Sequence, residues 1–334
     1  MIRAIRRSNW LYLVFILLLV AGMIVSLGVG AVPLTPAEVV DVLRGAPARA
    51  ADAAIVWDFR LARVLLVSLS GAALAAAGAG FQGLFRNPLA DPFVVGASGG
   101  AALGATLSAV LGRGGGPIMP IGIAGFIGAL AAVMFVYVLA ETSNYGSVAA
   151  LLLAGSALST MLSALVSLLL LLSDEVIHEV FAWLLGGFSG RSWTHLWQAL
   201  IIAPPGIIAL WLMSRPLDAL TAGEESAQAL GLNLRRARFA IVAGASLATA
   251  AAVAAGGIIG FVGLIAPHVA RPLFGARHAR LIPASMLVGA LILLAADGLA
   301  RTLMAPVELP IGVFTALLGG PFFLVLLKTK DAGR

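Results

Sequence analysis

The sequence predicts an all-α polytopic membrane protein of about ten transmembrane helices, with both termini on the cytoplasmic side. Three observations carry this expectation. Hydrophobic residues make up 61% of the 334 positions and charged residues only 11%, far from the balance of a soluble domain. Charge-free runs long enough to cross a hydrocarbon core of about 30 Å recur from one end of the chain to the other. Lys and Arg residues gather at the ends of those runs, where they orient a membrane protein, so the net charge of +6 does not point to nucleic acid.

The first run, 10–32, follows Arg3, Arg6 and Arg7. It is too long for a signal-peptide core and lacks a cleavage pattern, so it reads as a retained span. Further runs cover 64–85, 93–112, 117–140, 146–173, 196–214, 239–267, 281–296 and 309–327. The run 239–267 is interrupted by Gly256, Gly257, Gly260 and Gly263, which predicts a full span followed by a half-span. With that split the termini fall on one side, and 14 of the 21 Lys/Arg become cytoplasmic, among them Arg86, Arg215, Arg235, Arg236, Arg238, Arg271, Arg277, Arg280, Lys328 and Lys330. The chain reads as a single transmembrane domain, 1–334, without internal repeats. It contains no cysteine, which excludes disulfides and thiol chemistry.

Residues 215–238 form a charged island in this apolar chain. Thr221-Ala-Gly-Glu224 matches a capping box, and Gly231 suits the left-handed residue that closes a helix. A helix of about nine residues, roughly 13 Å long, is expected between them. Glu224 and Glu225 at its start and Arg235, Arg236 and Arg238 beyond its end agree with the helix dipole. Locally, the segment reads equally as a solvated helical turn or as a docking knob.

The energy source bears on that choice. An ion-coupled transporter normally buries ionisable residues at mid-membrane, and the apolar runs contain none. A phosphate-binding P-loop is absent too, since Lys328 and Lys330 are the only lysines and neither has the glycine-rich setting. A pump built on this chain would therefore need a separate ATPase, which gives a cytoplasmic knob a use. A stand-alone channel or carrier and a structural scaffold are the rival readings.

Arg60-Leu-Ala-Arg63, Ala77-Gly-Ala-Gly-Phe-Gln82-Gly-Leu-Phe-Arg86-Asn-Pro-Leu-Ala-Asp-Pro92, Gly260-Phe-Val-Gly-Leu-Ile-Ala-Pro-His268 and Glu308-Leu-Pro-Ile-Gly312 occur in that order. Together they resemble the permease subunits of ABC importers for iron-siderophores, haem and cobalamin, over about residues 33–327. Ala62 departs from the proline usual in the family. The resemblance implies ten spans in the cytoplasmic (inner) membrane and a second permease subunit, expected to be an identical copy. It also implies two cytoplasmic ATPase subunits that use ATP and Mg, and a periplasmic or lipid-anchored solute-binding protein. No catalytic residue, bound cofactor or resident metal is expected in this chain. Thr221, Glu224, Glu225, Leu230 and Gly231 are the coupling residues expected to meet the ATPase, by the local cap and by the family pattern.

Arg60, Arg63 and Arg301 fall near span ends on the outer side. They read either as snorkelling anchors or as a cationic rim for carboxylates of a partner, and the resemblance supports a rim that docks the solute-binding protein. Ser156, Ser159, Thr160, Ser163 and Ser167 share one face of the fifth span. Such a face serves close helix packing or a weakly polar path; the resemblance favours the translocation path. Asn87-Pro-Leu-Ala-Asp91-Pro is expected to be a structural turn, and the glycine-rich, aromatic segment 183–193 an interfacial or re-entrant element. His178, His195, His268 and His278 are too dispersed for a permanent metal site, although His178 or His195 could touch a haem in transit. An interior without fixed charge suits a metal wrapped in an organic chelate better than a bare ion. The resemblance makes an iron complex the expected cargo, with cobalamin as the alternative.

Overall fold

The computed structural model describes residues 2–30, 32–112, 116–142 and 148–331, and side chains between 10 and 324 of these. In chain order the helices are α1 (Ile2–Gly28), α2 (Pro36–Leu43), α3 (Ala50–Ala54), α4 (Leu61–Leu84), α5 (Ala97–Leu111), α6 (Ile121–Thr142), α7 (Val148–Leu171) and α8 (Ile177–Leu184). There follow α9 (Trp193–Leu212), α10 (Ser214–Thr221), α11 (Glu224–Ala229), α12 (Leu234–Gly256), α13 (Val262–Phe274), α14 (His278–Thr302) and α15 (Ile311–Asp331). A π-helical stretch, Ile55–Arg60, joins α3 to α4 without a break. Among the described residues seven helices are long and apolar enough to cross a membrane, and three shorter apolar ones, Ala97–Leu111, Val262–Phe274 and Ile311–Leu324, accompany them. No strand occurs among the described residues.

The centre of the bundle is α4. Its membrane-length window is 83% buried, against 11% for α1, so α4 is the axial helix and α1 a peripheral one. Helices α14, α12, α13 and α9 surround it, while α5, α6 and α7 form an adjoining group. Close approach depends on glycine, because between apolar helices in lipid the attraction comes from backbone-level packing. A Cβ on Gly71 would run into the Gly289 carbonyl of α14, one on Gly78 into the Gly263 carbonyl of α13, and one on Gly100 into the Gly128 carbonyl of α6. Overpacking at such a crossing costs about 1–3 kcal/mol or more. We therefore expect Gly78→Val to yield little folded protein. Gly298 has open space where its Cβ would stand, so Gly298→Ala should keep or slightly raise the thermal midpoint in detergent, since alanine is the better helix former.

The expected break in 239–267 is present. Helix α12, of 23 residues, runs about 35 Å, and α13, of 13, about 20 Å. Between them Gly257 and Phe261 take positive φ values of 73° and 67°. Segment 183–193 packs onto this break: the Gly187 N–H donates to the Gly256 carbonyl (2.7 Å), the Ile311 N–H to the Gly186 carbonyl (2.9 Å), and Phe188 is fully buried. The segment is thus tied into the bundle, and Gly186, Gly187 and Ser189 also line a cavity with Arg63 and Glu308. The Asn87–Asp91 turn is structural, with Asn87 Oδ1 accepting from the Leu89 N–H (3.0 Å) and Asp91 Oδ1 from the Phe93 N–H (2.9 Å).

One expectation fails at this level. The apolar runs end before the helices do, and α14 carries Asp297, fully buried, on its last turns. The helical body therefore does contain ionisable groups, held where α14, α4 and the end of α1 meet.

Candidate functional site

At the end of the bundle that carries the charged island, α10 lies against the termini of α4 and α14 through the buried side chains of Leu217 and Leu220. Asp218 fixes it there. Its Oδ1 accepts the His278 backbone N–H (2.9 Å) and sits 2.6 Å from His278 Nδ1. A carboxylate at the start of α14 satisfies a helix N-terminal amide and opposes the helix dipole. A Cβ on Gly83 would strike the His278 ring, so the end of α4 seats this histidine closely.

Helix α11 departs from its expected form. The capping box is not made: Thr221 is the last residue of α10, and its hydroxyl donates back to the Asp218 carbonyl (2.7 Å). Gly223, with φ 120°, is the N-cap and gives no side-chain cap bond. The helix has six residues, about 9 Å, rather than nine. Glu224 instead bridges Arg238 of α12 (2.6 Å) and Arg86 after α4 (3.5 Å). It works as a strut. Ala227 is buried beneath it, and Gly231 does adopt the left-handed conformation, φ 80°. The outward surface is formed by Glu225, Ser226, Gln228 and Ala229, with Leu230, an apolar side chain, 78% exposed at the tip.

The sequence reading missed these struts. Asp218 and His278, 60 residues apart, and Glu224, Arg86 and Arg238 show no local signature of pairing. The same holds for Arg271 of α13, which donates to Gln82 Oε1 of α4 (3.0 Å), while Gln82 Nε2 donates to the Leu264 carbonyl (3.2 Å).

At the opposite end, Arg60, Arg63 and Arg301 are brought together, but not as an exposed rim. Arg60 and Arg301 are 8% and 5% exposed. Arg60 donates to the Leu27 (2.7 Å) and Val32 (2.5 Å) carbonyls. Arg301 donates to the Val29 carbonyl (2.7 Å) and to Ser26 Oγ (2.6 Å). The reason is general: the last carbonyls of a helix such as α1 lack partners within it, and buried guanidinium donors must find acceptors. Asp297 lies between Arg63 and Arg301 at 2.9 Å from each, and Arg63 also pairs with Glu308 (2.8 Å). Burial works to raise the Glu308 pKa, but the hydrogen bond and charge of Arg63 outweigh it and hold the carboxyl low. Three guanidiniums thus face two carboxylates.

On α7, Ser156, Thr160, Ser163 and Ser167 are exposed, and Ser159 is partly buried against Gly99 of α5. Close packing within the subunit therefore does not explain four of these five hydroxyls. Thr160 and Ser167 donate to the carbonyls of Ser156 and Ser163 (3.0 Å each), bonds internal to the helix that leave the face only weakly polar. Of the dispersed histidines, His195 has both ring nitrogens engaged, Nδ1 with Ser192 (3.2 Å) and Nε2 with Arg191 (3.2 Å). His178 is exposed beside a cavity that Arg63 and Glu308 also line. Among the described residues no three His, Asp or Glu side chains cluster as a metal site.

A family model described as the FecCD transport family matches residues 17–329. The cobalamin import system permease protein BtuC of Halobacterium salinarum is 42% identical over 279 residues, covering 83% of this chain and 74% of that protein. The hemin transport system permease protein HmuU of Yersinia pestis is 40% identical over 284 residues, covering 84% and 85% respectively. A solved inward-facing metal-chelate type ABC transporter superposes with a TM-score of 0.83 at 32% identity, covering 96% of this chain and 99% of that one.

Proposed function

Because the chain belongs to the FecCD transport family, we propose that it is the membrane-spanning permease of a binding-protein-dependent ABC importer whose cargo is an iron complex, haem or a ferric siderophore. It is a transport subunit, and ATP hydrolysis with Mg belongs to a partner. In this reading the seven long and three short apolar helices make ten crossings of the cytoplasmic membrane, with both termini inside. Two copies enclose the path, two ATPases sit beneath them, and a solute-binding protein docks on the outer face.

The α10–α11 knob is the observation that carries the coupling role. It is rigid and braced to three helices through Asp218–His278, Glu224–Arg238 and the buried Leu217, yet it projects an apolar tip, Leu230, into water. Held out on a braced support, this side chain is placed to leave water for an apolar pocket of the ATPase. The residues meeting the ATPase are then Glu225 and Leu230, while Thr221, Glu224 and Gly231 set the shape of the knob. At the other end, Arg60 and Arg301 are committed internally, so docking of the binding protein would rest on Arg63, Glu308 and the uncompensated positive charge of their cluster. The uncovered hydroxyl face of α7 supports a weakly polar path against the second copy.

Cobalamin is the second reading, favoured by the 42% identity to a cobalamin import permease. Proteoliposomes holding the permease, its ATPase and its cognate binding protein separate the cargoes when each chelate and free ferrous or ferric ion is supplied in turn. ATP-dependent accumulation of an iron chelate is expected. Uptake of the free ion, and of no chelate, overturns the cargo class.

A further inference from the structure

Between α6, α9 and α12 lies a cavity of about 450 Å³ that the transport reading does not use, a size common for ligand sites. Its walls change character along their length. At one end stand Arg191, Thr194, His195 and Gln198; deeper in come Phe126, Ile127, Ile202 and Ala251. The α9 members follow each other at helical spacing, from Arg191 just before the helix to Ile202, over about 16 Å. One face of α9 therefore passes from cationic to polar to wholly apolar.

The polar end lies at the level of three tryptophans. Trp193 Nε1 donates to the Trp57 carbonyl (2.9 Å), and Trp57 and Trp197 are 42% and 59% exposed. Tryptophans of this kind mark the membrane–water boundary. The apolar end reaches inward from it, to the depth of hydrocarbon.

Arg191 has no carboxylate within ion-pairing distance among the described residues. Its Nε is buried with no hydrogen-bond partner, and Nη1 meets only His195 Nε2. Burial alone bears on its pKa, pushing it down; no opposing charge repays that burial. Glu179 lines a neighbouring cavity that Arg191 also borders, but forms no ion pair with it. A half-buried cation without a counter-ion is costly unless something anionic completes it. Arg60, Arg63 and Arg301 each donate to backbone carbonyls or pair with carboxylates; Arg191 meets only a histidine.

We propose that this cavity binds one anionic phospholipid, its phosphodiester on Arg191 with Thr194 and Gln198 as further donors, and one acyl chain along Phe126, Ile202 and Ala251. The inference rests on the chain lying in a membrane and not on what it carries. A free anion would leave the apolar end empty, and an uncharged lipid would leave Arg191 uncompensated. The polar end has no carboxylate in its wall to receive the ammonium of a zwitterionic headgroup. The bound lipid would also join α9, which leads directly into the braced knob, to α6 and α12.

Native mass spectrometry of the full-length permease, given phosphatidylglycerol, phosphatidylethanolamine and phosphatidylcholine of identical chains, tests this. One phosphatidylglycerol should be retained about tenfold over the other two, the scale of a charge-assisted hydrogen-bonded pair. Arg191→Gln should lose the preference and Arg191→Lys keep part of it. Ala251→Phe fills the acyl slot with Arg191 intact, and should lower retention of all three lipids. That variant carries the test if Arg191→Gln does not fold. Phosphatidylglycerol should raise the thermal midpoint of the wild type but not of Arg191→Gln, and inorganic phosphate should do neither. Equal retention of the three lipids, undiminished retention in both Arg191→Gln and Ala251→Phe, or equal protection by inorganic phosphate each overturns the proposal. Loss of iron-chelate uptake by the wild type would overturn the cargo reading and leave this one standing.

Discussion

Leu230→Asp combined with Glu225→Arg should abolish ATP-driven uptake while leaving the permease folded. Leu230 is 78% exposed, whereas the knob's braces are Asp218–His278 and Glu224–Arg238. Replacing the tip therefore spares the support. If Leu230 fills a pocket on the ATPase, burying a carboxylate there in its place costs about 2–4 kcal/mol, a fall of about 30- to 1000-fold in docking affinity. The readouts are co-purification of the ATPase and uptake in proteoliposomes, with the thermal midpoint of the free permease as control. Glu224→Arg is a different experiment: it repels Arg86 and Arg238 and deforms the knob itself. Normal uptake and full co-purification in the Leu230/Glu225 variant would remove the docking role from α11.

Asp297→Ala should destabilise the fold more than any surface change. The carboxylate is fully buried and stands 2.9 Å from both Arg63 and Arg301. Arg301 in turn ties the end of α1 to α14, and Arg63 ties α4 to the segment before α15. Removing one partner of a buried ionic group leaves the others uncompensated, at about 3–5 kcal/mol. Thermal unfolding in detergent should show a large fall for Asp297→Ala. Asp297→Leu with Arg301→Met, which removes opposite charges together, should recover part of it. An unchanged midpoint in Asp297→Ala would mean that the cluster is solvated and does not clamp the helices.

How far these sites could be read in advance differs residue by residue. The break after α12 was legible because four glycines within eight positions weaken any single helix there, and Gly231 because a left-handed turn is a local property of one residue. Thr221 was misread for a related reason. The capping box is a four-residue pattern, and the same threonine can close the preceding helix; the burial of Leu217 and Leu220 under α10 decides which. Arg60, Arg63 and Arg301 were found by their position near span ends, yet their burial was not foreseen. It depends on carbonyls 33 residues away for Arg60 and 272 for Arg301.

The amino-acid sequence by itself determined what is local or additive: a helical membrane body, the break after α12, the charged island, and the family pattern. Transfer of apolar side chains out of water and the backbone's need for internal hydrogen bonds act on each segment separately. Tertiary structure alone decided which charges are spent. Whether an arginine is a free cation, a clamp on orphan carbonyls or a waiting counter-ion depends on which acceptors the folded chain brings within about 3 Å of it. For Arg60 and Arg301 the fold supplies them, for Glu224 it supplies two arginines, and for Arg191 it supplies none beyond a histidine, which leaves that charge for a ligand.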